Sequence, residues 1–150
     1  MEKTFVMIRP TAVGDSGKWL QRFQDAGLEL VGLKQEYLTK KSFAAWLADY
    51  RSKPWYPDLE NHYTQVSVVL IALEGDDAVR RANEALPAEK NEDGDRAADS
   101  RVHVSKTVKD AERELRIFFK PGQIVLSAVA GAVARSKKLS AKSKKIAKKR

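Results

Sequence analysis

A run at residues 66–73 that is apolar except for Ser67 constrains the fold of this chain more than any other feature of the sequence. Its sequence, VSVVLIAL, is rich in β-branched side chains and predicts a buried strand. A second apolar run at residues 4–8 ends at Arg9 and Pro10 and predicts a strand buried on both faces. Weaker strand patterns follow at residues 28–38 and 101–105. The chain is therefore expected to fold around a four-stranded sheet.

Apolar side chains at helical spacing separate these strands. They predict a first helix that ends at Gly27, a second helix that begins at Thr39 or Lys40, and a short helical turn at residues 59–63. A further helix is predicted at residues 78–86, and a last helix is capped by Thr107. Polar loops are predicted at residues 11–17 and 88–99. Core packing is predicted for Trp19, Phe23, Trp46 and the stripe Val108, Ala111, Leu115, Phe118 and Phe119. This order predicts an α/β (α+β) fold of the ferredoxin-like, split βαβ kind: an antiparallel four-stranded sheet with helices packed on one face.

Composition excludes several kinds of site. The chain has no cysteine, which rules out disulfides, thiolate metal sites and cysteine nucleophiles, and it has only two histidines. Its net charge of +8 is concentrated in residues 135–150, which carry nine basic residues and no acid, so residues 1–134 are close to neutral at about −1. We find no signal-peptide pattern or membrane-spanning run, and we expect a cytoplasmic protein.

His103 is the residue that most suggests chemistry. It lies on the fourth predicted strand, shortly before the helix that Thr107 caps, and helix amino termini attract phosphate. Glu114 follows eleven residues later beside the apolar stripe of that helix, where a carboxylate needs a partner. A His103–Glu114 pair would fix the imidazole tautomer and free the other nitrogen for attack. On the residues alone, a structural strand histidine and a solvated surface acid remain the alternative.

Three other features are weaker candidates. Residues 14–18 (GDSGK) are too short for a phosphate-binding P-loop, and His62 lies in a polar turn where we expect a surface position. Trp55 lies between Pro54 and Pro57, so stacking on a nucleobase and ordinary packing are both open.

Five segments, in order, resemble the nucleoside diphosphate kinase family over residues 3–121. They are residues 4–10 (TFVMIRP), 20–31 with RF and GLELV, 53–57 (KPWYP), 102–115 with VHVS and DAEREL, and 119–121 (FKP). The resemblance implies transfer of the γ-phosphoryl group from a nucleoside triphosphate to a diphosphate through a phosphohistidine at His103. It also implies Mg²⁺ carried by the nucleotide phosphates, and a homo-oligomer, either a hexamer or a tetramer.

The resemblance also implies roles for individual residues. Arg9 stands where the family has a phosphate-binding lysine, Trp55 where an aromatic ring stacks on the base, and Leu59 beside that ring. Ser105 and Glu114 would support His103. The resemblance also implies nucleotide contacts from Ser100, which stands where the family has an asparagine, and from Arg80.

The chain departs from the family at the nucleotide site. On either side of Ser105, the glycine and aspartate of the family are replaced by Val104 and Lys106. Elsewhere, a tyrosine of the family is replaced by Leu47 and a threonine by Ala85. The segment between Pro87 and His103 is about six residues short, and Arg81 or Arg96 would have to replace a missing arginine. These departures leave an alternative function open: a catalytically impaired, kinase-like module that binds nucleotide or partners.

The organisation predicted is a kinase-like domain at residues 1–121 and an extension at 122–150 with a Lys-rich, disordered tail. Three roles stay open for the tail: a solvated appendage, non-specific contact of residues 135–150 with nucleic acid, or contact with an anionic membrane without stable insertion. In the alternative function, the tail tethers nucleic acid.

Overall fold

The computed structural model describes residues 1–87 and 101–128. Within these ranges the strands are β1 (Glu2–Ile8), β2 (Glu29–Glu36), β3 (Val68–Gly75) and β4 (Val102–Val104). The α-helices are α1 (Ser16–Asp25), α2 (Lys40–Trp46), α3 (Tyr56–Gln65), α4 (Ala78–Glu84) and α5 (Val108–Phe118), and 3₁₀ helices cover Pro10–Asp15 and Ala48–Tyr50.

The strands form one antiparallel sheet in the order β2-β3-β1-β4. The apolar run at residues 66–73 contributes most of β3. All residues of β3 are buried, and the strand lies between β1 and β2. β1 pairs with β3 along its whole length, from Glu2 opposite Gly75 to Ile8 opposite Val69. The four-stranded antiparallel sheet and the ferredoxin-like α+β fold predicted from the sequence are confirmed.

Helices cover both faces of the sheet. Val6 and Ile8 of β1 pack with Trp19 and Phe23 of α1 and with α4, whereas Phe5 and Met7 pack on the opposite face with α2, α3 and α5. The expectation of helices on one face is therefore wrong. The reason is visible in β1 itself, since consecutive side chains of a strand point to opposite faces and residues 4–8 are all buried.

Other differences are local. The loop predicted at residues 11–17 is the 3₁₀ helix Pro10–Asp15 followed directly by α1, and the turn predicted at 59–63 is the ten-residue helix α3. Pro57 is compatible with α3 because it lies in the first helical turn, where no backbone N–H is required. Val108, predicted to be buried, is 45% exposed because it begins α5. The loop predicted at 88–99 lies outside the described residues.

Caps define the helix ends that matter for the site. Gly27 ends the α1 region with a φ of +85°, a left-handed conformation that glycine adopts without strain. The Thr39 hydroxyl accepts a hydrogen bond from the Ser42 N–H, and the Thr107 hydroxyl accepts one from the Asp110 N–H. The Thr107 cap predicted from the sequence is present, and at the start predicted for α2, Thr39 or Lys40, the structure places a cap at Thr39.

The chain continues past α5 along β2. The Val125 N–H donates to the Val31 carbonyl at 2.9 Å, and the Ala128 N–H donates to the Glu29 carboxylate at 2.5 Å. Residues up to 128 therefore pack against the sheet, and the Lys-rich tail lies outside the described residues. In the described part of the chain, none of the helices has the length and apolar character needed to cross a bilayer.

Candidate active site

β4 and α5 bring His103 and Glu114 together. Val102 and Val104 point into the cluster under α1 and α4, so His103 between them faces the opposite side of the sheet, under α5. There its ring lies 6.1 Å from the ring of Phe5. Because Thr107 starts α5 shortly after β4, the helix runs back across this face and carries Glu114 over the strand.

Glu114 is 1% exposed, and it accepts three hydrogen bonds. Its Oε2 lies 2.5 Å from Nε2 of His103 and 2.8 Å from Nε1 of Trp46. Its Oε1 accepts a hydrogen bond from the Ser105 hydroxyl at 2.7 Å. A buried carboxylate requires such partners, and donors of this kind stabilise its ionised form.

Burial and hydrogen bonding act in opposite directions on Glu114. Burial alone raises the pKa of its carboxyl group, but the hydrogen bond and charge of His103, with the hydrogen bonds from Ser105 and Trp46, together lower that pKa below its ordinary value of 4.5. Glu114 is therefore an ionised acceptor at neutral pH. The Nε2–H of His103 then donates to Glu114, so the lone pair of the uncharged ring lies on Nδ1.

Trp46 belongs to this site, although the sequence indicated only core packing. Its ring is 5% exposed and lies edge-on to the His103 ring, with centroids 5.3 Å apart. Its helical spacing with Phe43 was correctly interpreted as a core stripe, since both pack in the cluster under α5. The available signal was the indole N–H, because a buried tryptophan usually needs a hydrogen-bond acceptor.

A cavity of about 910 Å³ opens beside His103. Five of the predicted site residues line it: Arg9, Trp55, Leu59, His103 and Glu114. Trp55 is 44% exposed, and its ring lies 5.7 Å from that of Tyr50. Trp55 is therefore a partly exposed aromatic residue at the wall of the cavity. Ser105 is fully buried behind Glu114.

Sequence reasoning gave no role to several charged residues on the same cavity. Lys106 and Arg113 add positive charge, and Asp49 and Asp110 add negative charge. Arg113 also donates from Nη1 to the carbonyl groups of Ala45 and Trp46 at 3.4 Å, which ties α5 to the end of α2.

Arg9 reaches the cavity from the end of β1. Its Nη1 donates to the Tyr63 hydroxyl at 3.0 Å, and its buried Nε has no hydrogen-bond partner among the described residues. A buried guanidinium donor without a partner is costly unless a ligand completes it. This arrangement suits an anionic ligand.

The structure does not bring Arg80 to this cavity. Arg80 lines a separate cleft of about 500 Å³ and pairs with Asp77 at 3.2 Å and Glu84 at 3.0 Å. Arg81 reaches the Asp76 carbonyl and packs against Gly27. Ser100 and Arg96 lie outside the described residues, and His62 is exposed as predicted. No group of three or more acidic or histidine side chains positioned to hold a metal ion occurs in residues 1–87 and 101–128.

Comparison with known proteins identifies similar sequences. The family described as nucleoside diphosphate kinase matches residues 2–124. The chain is 34% identical to nucleoside diphosphate kinase 1 of Protochlamydia amoebophila, over 82% of this chain and 96% of the relative. It is 33% identical to the nucleoside diphosphate kinase of Thermus thermophilus, over 83% of this chain and 100% of the relative.

Solved structures give the same result. A nucleoside diphosphate kinase family protein from Babesia bovis superposes with a TM-score of 0.74 at 28% identity, covering 89% of this chain and 99% of that one. A halophilic nucleoside diphosphate kinase from Halobacterium salinarum, solved in complex with CDP, superposes with a TM-score of 0.71 at 25% identity, covering 83% and 91%.

Proposed function

The chain belongs to the nucleoside diphosphate kinase family of phosphotransferase enzymes, and from that premise we propose that it transfers the γ-phosphoryl group of a nucleoside triphosphate to a nucleoside diphosphate through His103. The observation that carries this proposal is the 2.5 Å contact between His103 Nε2 and Glu114 Oε2. It commits Nε2 to the carboxylate and leaves Nδ1 as the nucleophile.

In the first half of the reaction, the Nδ1 lone pair attacks the γ-phosphorus of the triphosphate. An N–P bond forms, and the bond from the γ-phosphorus to the bridging oxygen breaks, with the electron pair leaving on the diphosphate. Nε2 keeps its proton, and the positive charge that develops on the ring is balanced by Glu114. In the second half, a terminal oxygen of an acceptor diphosphate attacks the phosphorus, and the electron pair of the N–P bond returns to Nδ1.

The cavity beside His103 supports binding of a nucleotide. Arg9 would place its unpartnered Nε and its guanidinium charge against the phosphates, and Trp55 would stack on the base with Leu59 beside it. CDP is the ligand bound to the similar Halobacterium salinarum kinase. Mg²⁺ would enter as part of the substrate, bound to the nucleotide phosphates, where it neutralises charge that develops during transfer.

Nucleotide contacts were also predicted for Ser100 and Arg80, with Arg96 as a possible replacement for a missing arginine. Ser100 and Arg96 lie outside the described residues, and Arg80 would have to leave Asp77 and Glu84 to reach a nucleotide. Among the described residues, the cationic side chains that line the cavity with His103 are Arg9, Lys106 and Arg113. We therefore propose that these three carry most of the phosphate binding in this shortened site.

The oligomeric state, the location in the cell and the role of the Lys-rich tail are also proposals. A homo-oligomer, as a hexamer or tetramer, is supported by the exposed Leu33, Tyr37, Val125 and Leu126 on and around the edge strand β2. Light scattering that gives a monomeric mass would refute it. A cytoplasmic location and contact of residues 135–150 with nucleic acid remain predictions from the sequence. The relatives, which are named as kinases, give no support to an impaired binding module.

Incubation of the protein with γ-labelled ATP tests the function. We expect label on the protein that is lost in acid, retained in base, and removed by an added nucleoside diphosphate. Transfer to the diphosphate should require His103. A protein that takes up no label at high concentration would refute the proposal and favour the binding module.

A further inference from the structure

Trp46 and His103 share one oxygen of Glu114. Oε2 lies 2.8 Å from the indole nitrogen and 2.5 Å from the imidazole nitrogen, while Oε1 is occupied by the Ser105 hydroxyl. An indole N–H can only donate a hydrogen bond, so Trp46 cannot accept a proton from the carboxyl group. This property distinguishes it from a tyrosine or histidine in the same place.

We propose that Trp46 is a positioning residue for the phosphoryl transfer, because its indole N–H holds Glu114 as an ionised acceptor and sets how strongly that carboxylate attracts the His103 ring. The catalytic part of this inference rests on the proposed function. The hydrogen-bond part concerns Glu114 alone and can be tested without any turnover.

The surroundings of Trp46 fix the position of its N–H group. The indole ring packs edge-on against Phe43, Tyr63 and Phe118, with centroid distances of 6.1, 5.8 and 6.0 Å. Trp46 is also the last residue of α2, and Arg113 of α5 holds its carbonyl group. The carboxylate and indole are both buried, so water does not readily take the place of a lost donor.

The shared oxygen couples Trp46 to the phosphorylated state. When Nδ1 carries the phosphoryl group, the ring is positively charged and its Nε2–H bond to Glu114 strengthens. The indole N–H withdraws negative charge from the same oxygen and so limits this stabilisation. Trp46 thereby keeps the phosphohistidine reactive enough to return its phosphoryl group to a diphosphate.

Other charged and titratable groups face the same cavity and could alter the titration of Glu114 in a variant. From the elements around it these are Arg9, Asp49, Tyr50, His103, Lys106, Asp110 and Arg113. None of these side chains changes in the variants below, so a difference between variants reports the indole N–H.

The test uses the full chain and two changes at one position. Replacing the indole of Trp46 with the isosteric benzothiophene removes the N–H and keeps the bicyclic shape, and Trp46→Phe removes the N–H and part of the ring. Trp19→Phe is the matched control, because Trp19 is a buried tryptophan in the cluster on the opposite face of the sheet. Fractional phosphohistidine is measured at fixed ATP to ADP ratios, and Glu114 is titrated by carboxyl-carbon NMR with Glu114→Gln as the assignment reference.

We expect the benzothiophene variant to raise the pKa of Glu114 and to shift the equilibrium toward phosphohistidine by about 3- to 10-fold. Trp46→Phe should act in the same direction, and Trp19→Phe should match the wild type. A benzothiophene variant with the wild-type phosphohistidine equilibrium would overturn the proposal. Absence of phosphohistidine in the wild type would instead refute the proposed function, and the Glu114 titration would still decide whether Trp46 holds the carboxylate.

Discussion

Nε2 of His103 lies 2.5 Å from Oε2 of Glu114, which follows it eleven residues later on a different element. His103 is partly open to solvent, with 21% of its side chain exposed, whereas the side chain of Glu114 is 2% exposed. The pair therefore combines an accessible ring with a buried charge that orients it. Substitutions of His103 and of Glu114 therefore test the nucleophile and the orienting charge separately.

Replacing His103 with asparagine should abolish formation of the phosphoenzyme and all turnover, because the chain contains no cysteine and His62 does not line the cavity beside His103. We expect the free energy of unfolding to fall by no more than about 1 kcal/mol, since Glu114 keeps its hydrogen bonds to Trp46 and Ser105. Labelling with γ-labelled ATP and urea unfolding measure the two effects. Transfer above the blank in His103→Asn would contradict the mechanism.

Glu114→Gln should slow turnover without abolishing it. The substitution leaves the nucleophile in place and removes the charge that orients it and balances the phosphorylated ring, for which we expect a loss of about 10- to 100-fold in kcat. The amide also places an N–H₂ group among donors, so the protein should be destabilised by about 1–3 kcal/mol. Steady-state kinetics at saturating nucleotide check the first effect. Activity equal to the wild type would show that the carboxylate has no role in transfer.

The stability of the protein should depend on Glu114 in acid. Burial opposes ionisation, but hydrogen bonds and charge from His103, with the bonds from Ser105 and Trp46, outweigh it and lower the pKa of Glu114 below 4.5 in the folded state. The unfolded state then binds more protons between the folded pKa and 4.5. The contribution of Glu114 is thus complete above about pH 4.5 and is lost as the pH falls through the folded pKa.

Urea unfolding of the wild type and Glu114→Gln at a series of pH values measures this contribution. The difference in free energy of unfolding between the two proteins should be largest near neutral pH and should shrink as the pH falls below about 4.5. A difference that stays constant across the acid range would contradict the lowered pKa.

Arg9→Ala should weaken nucleotide binding more than it slows transfer, because the guanidinium lines the cavity and donates to the Tyr63 hydroxyl. We expect KM to rise about tenfold or more, with a smaller change in kcat. Arg9→Lys is the matched control: it keeps the charge but loses the forked geometry and should recover part of the affinity. Equal KM values for Arg9→Ala and the wild type would remove Arg9 from the phosphate site.

Trp55→Ala should raise KM by about tenfold, the effect expected for the loss of one base-stacking contact. Since Trp55 is 44% exposed, the free energy of unfolding should change by no more than about 0.5 kcal/mol. Trp55→Phe keeps an aromatic face and should retain most of the affinity. Nucleotide titration with thermal unfolding separates binding from stability, and an unchanged KM in Trp55→Ala would show that the ring only packs.

The strands of the sheet and the start of α5 can be predicted from local patterns in the sequence. Residues 66–73 predict β3 because so apolar a run must be buried. Thr107 predicts the start of α5 because its hydroxyl group satisfies a free N–H group within the same short segment, and the start of α2 is predicted at Thr39 or Lys40. Local spacing made a His103–Glu114 pair one of two alternatives, and the structure decides between them with the contact from Nε2 to Oε2.

The groups that complete the site come from contacts between residues far apart in the sequence. Trp46 and Glu114 are 68 residues apart, so no local pattern shows that they share a hydrogen bond, and a tryptophan on an apolar stripe predicts only burial. The same limit applies to Arg9 and Tyr63, 54 residues apart, and to the covering of both sheet faces. The spacing of apolar residues indicates which side of a helix or strand is buried. Which residues pack against that side depends on how the whole chain folds.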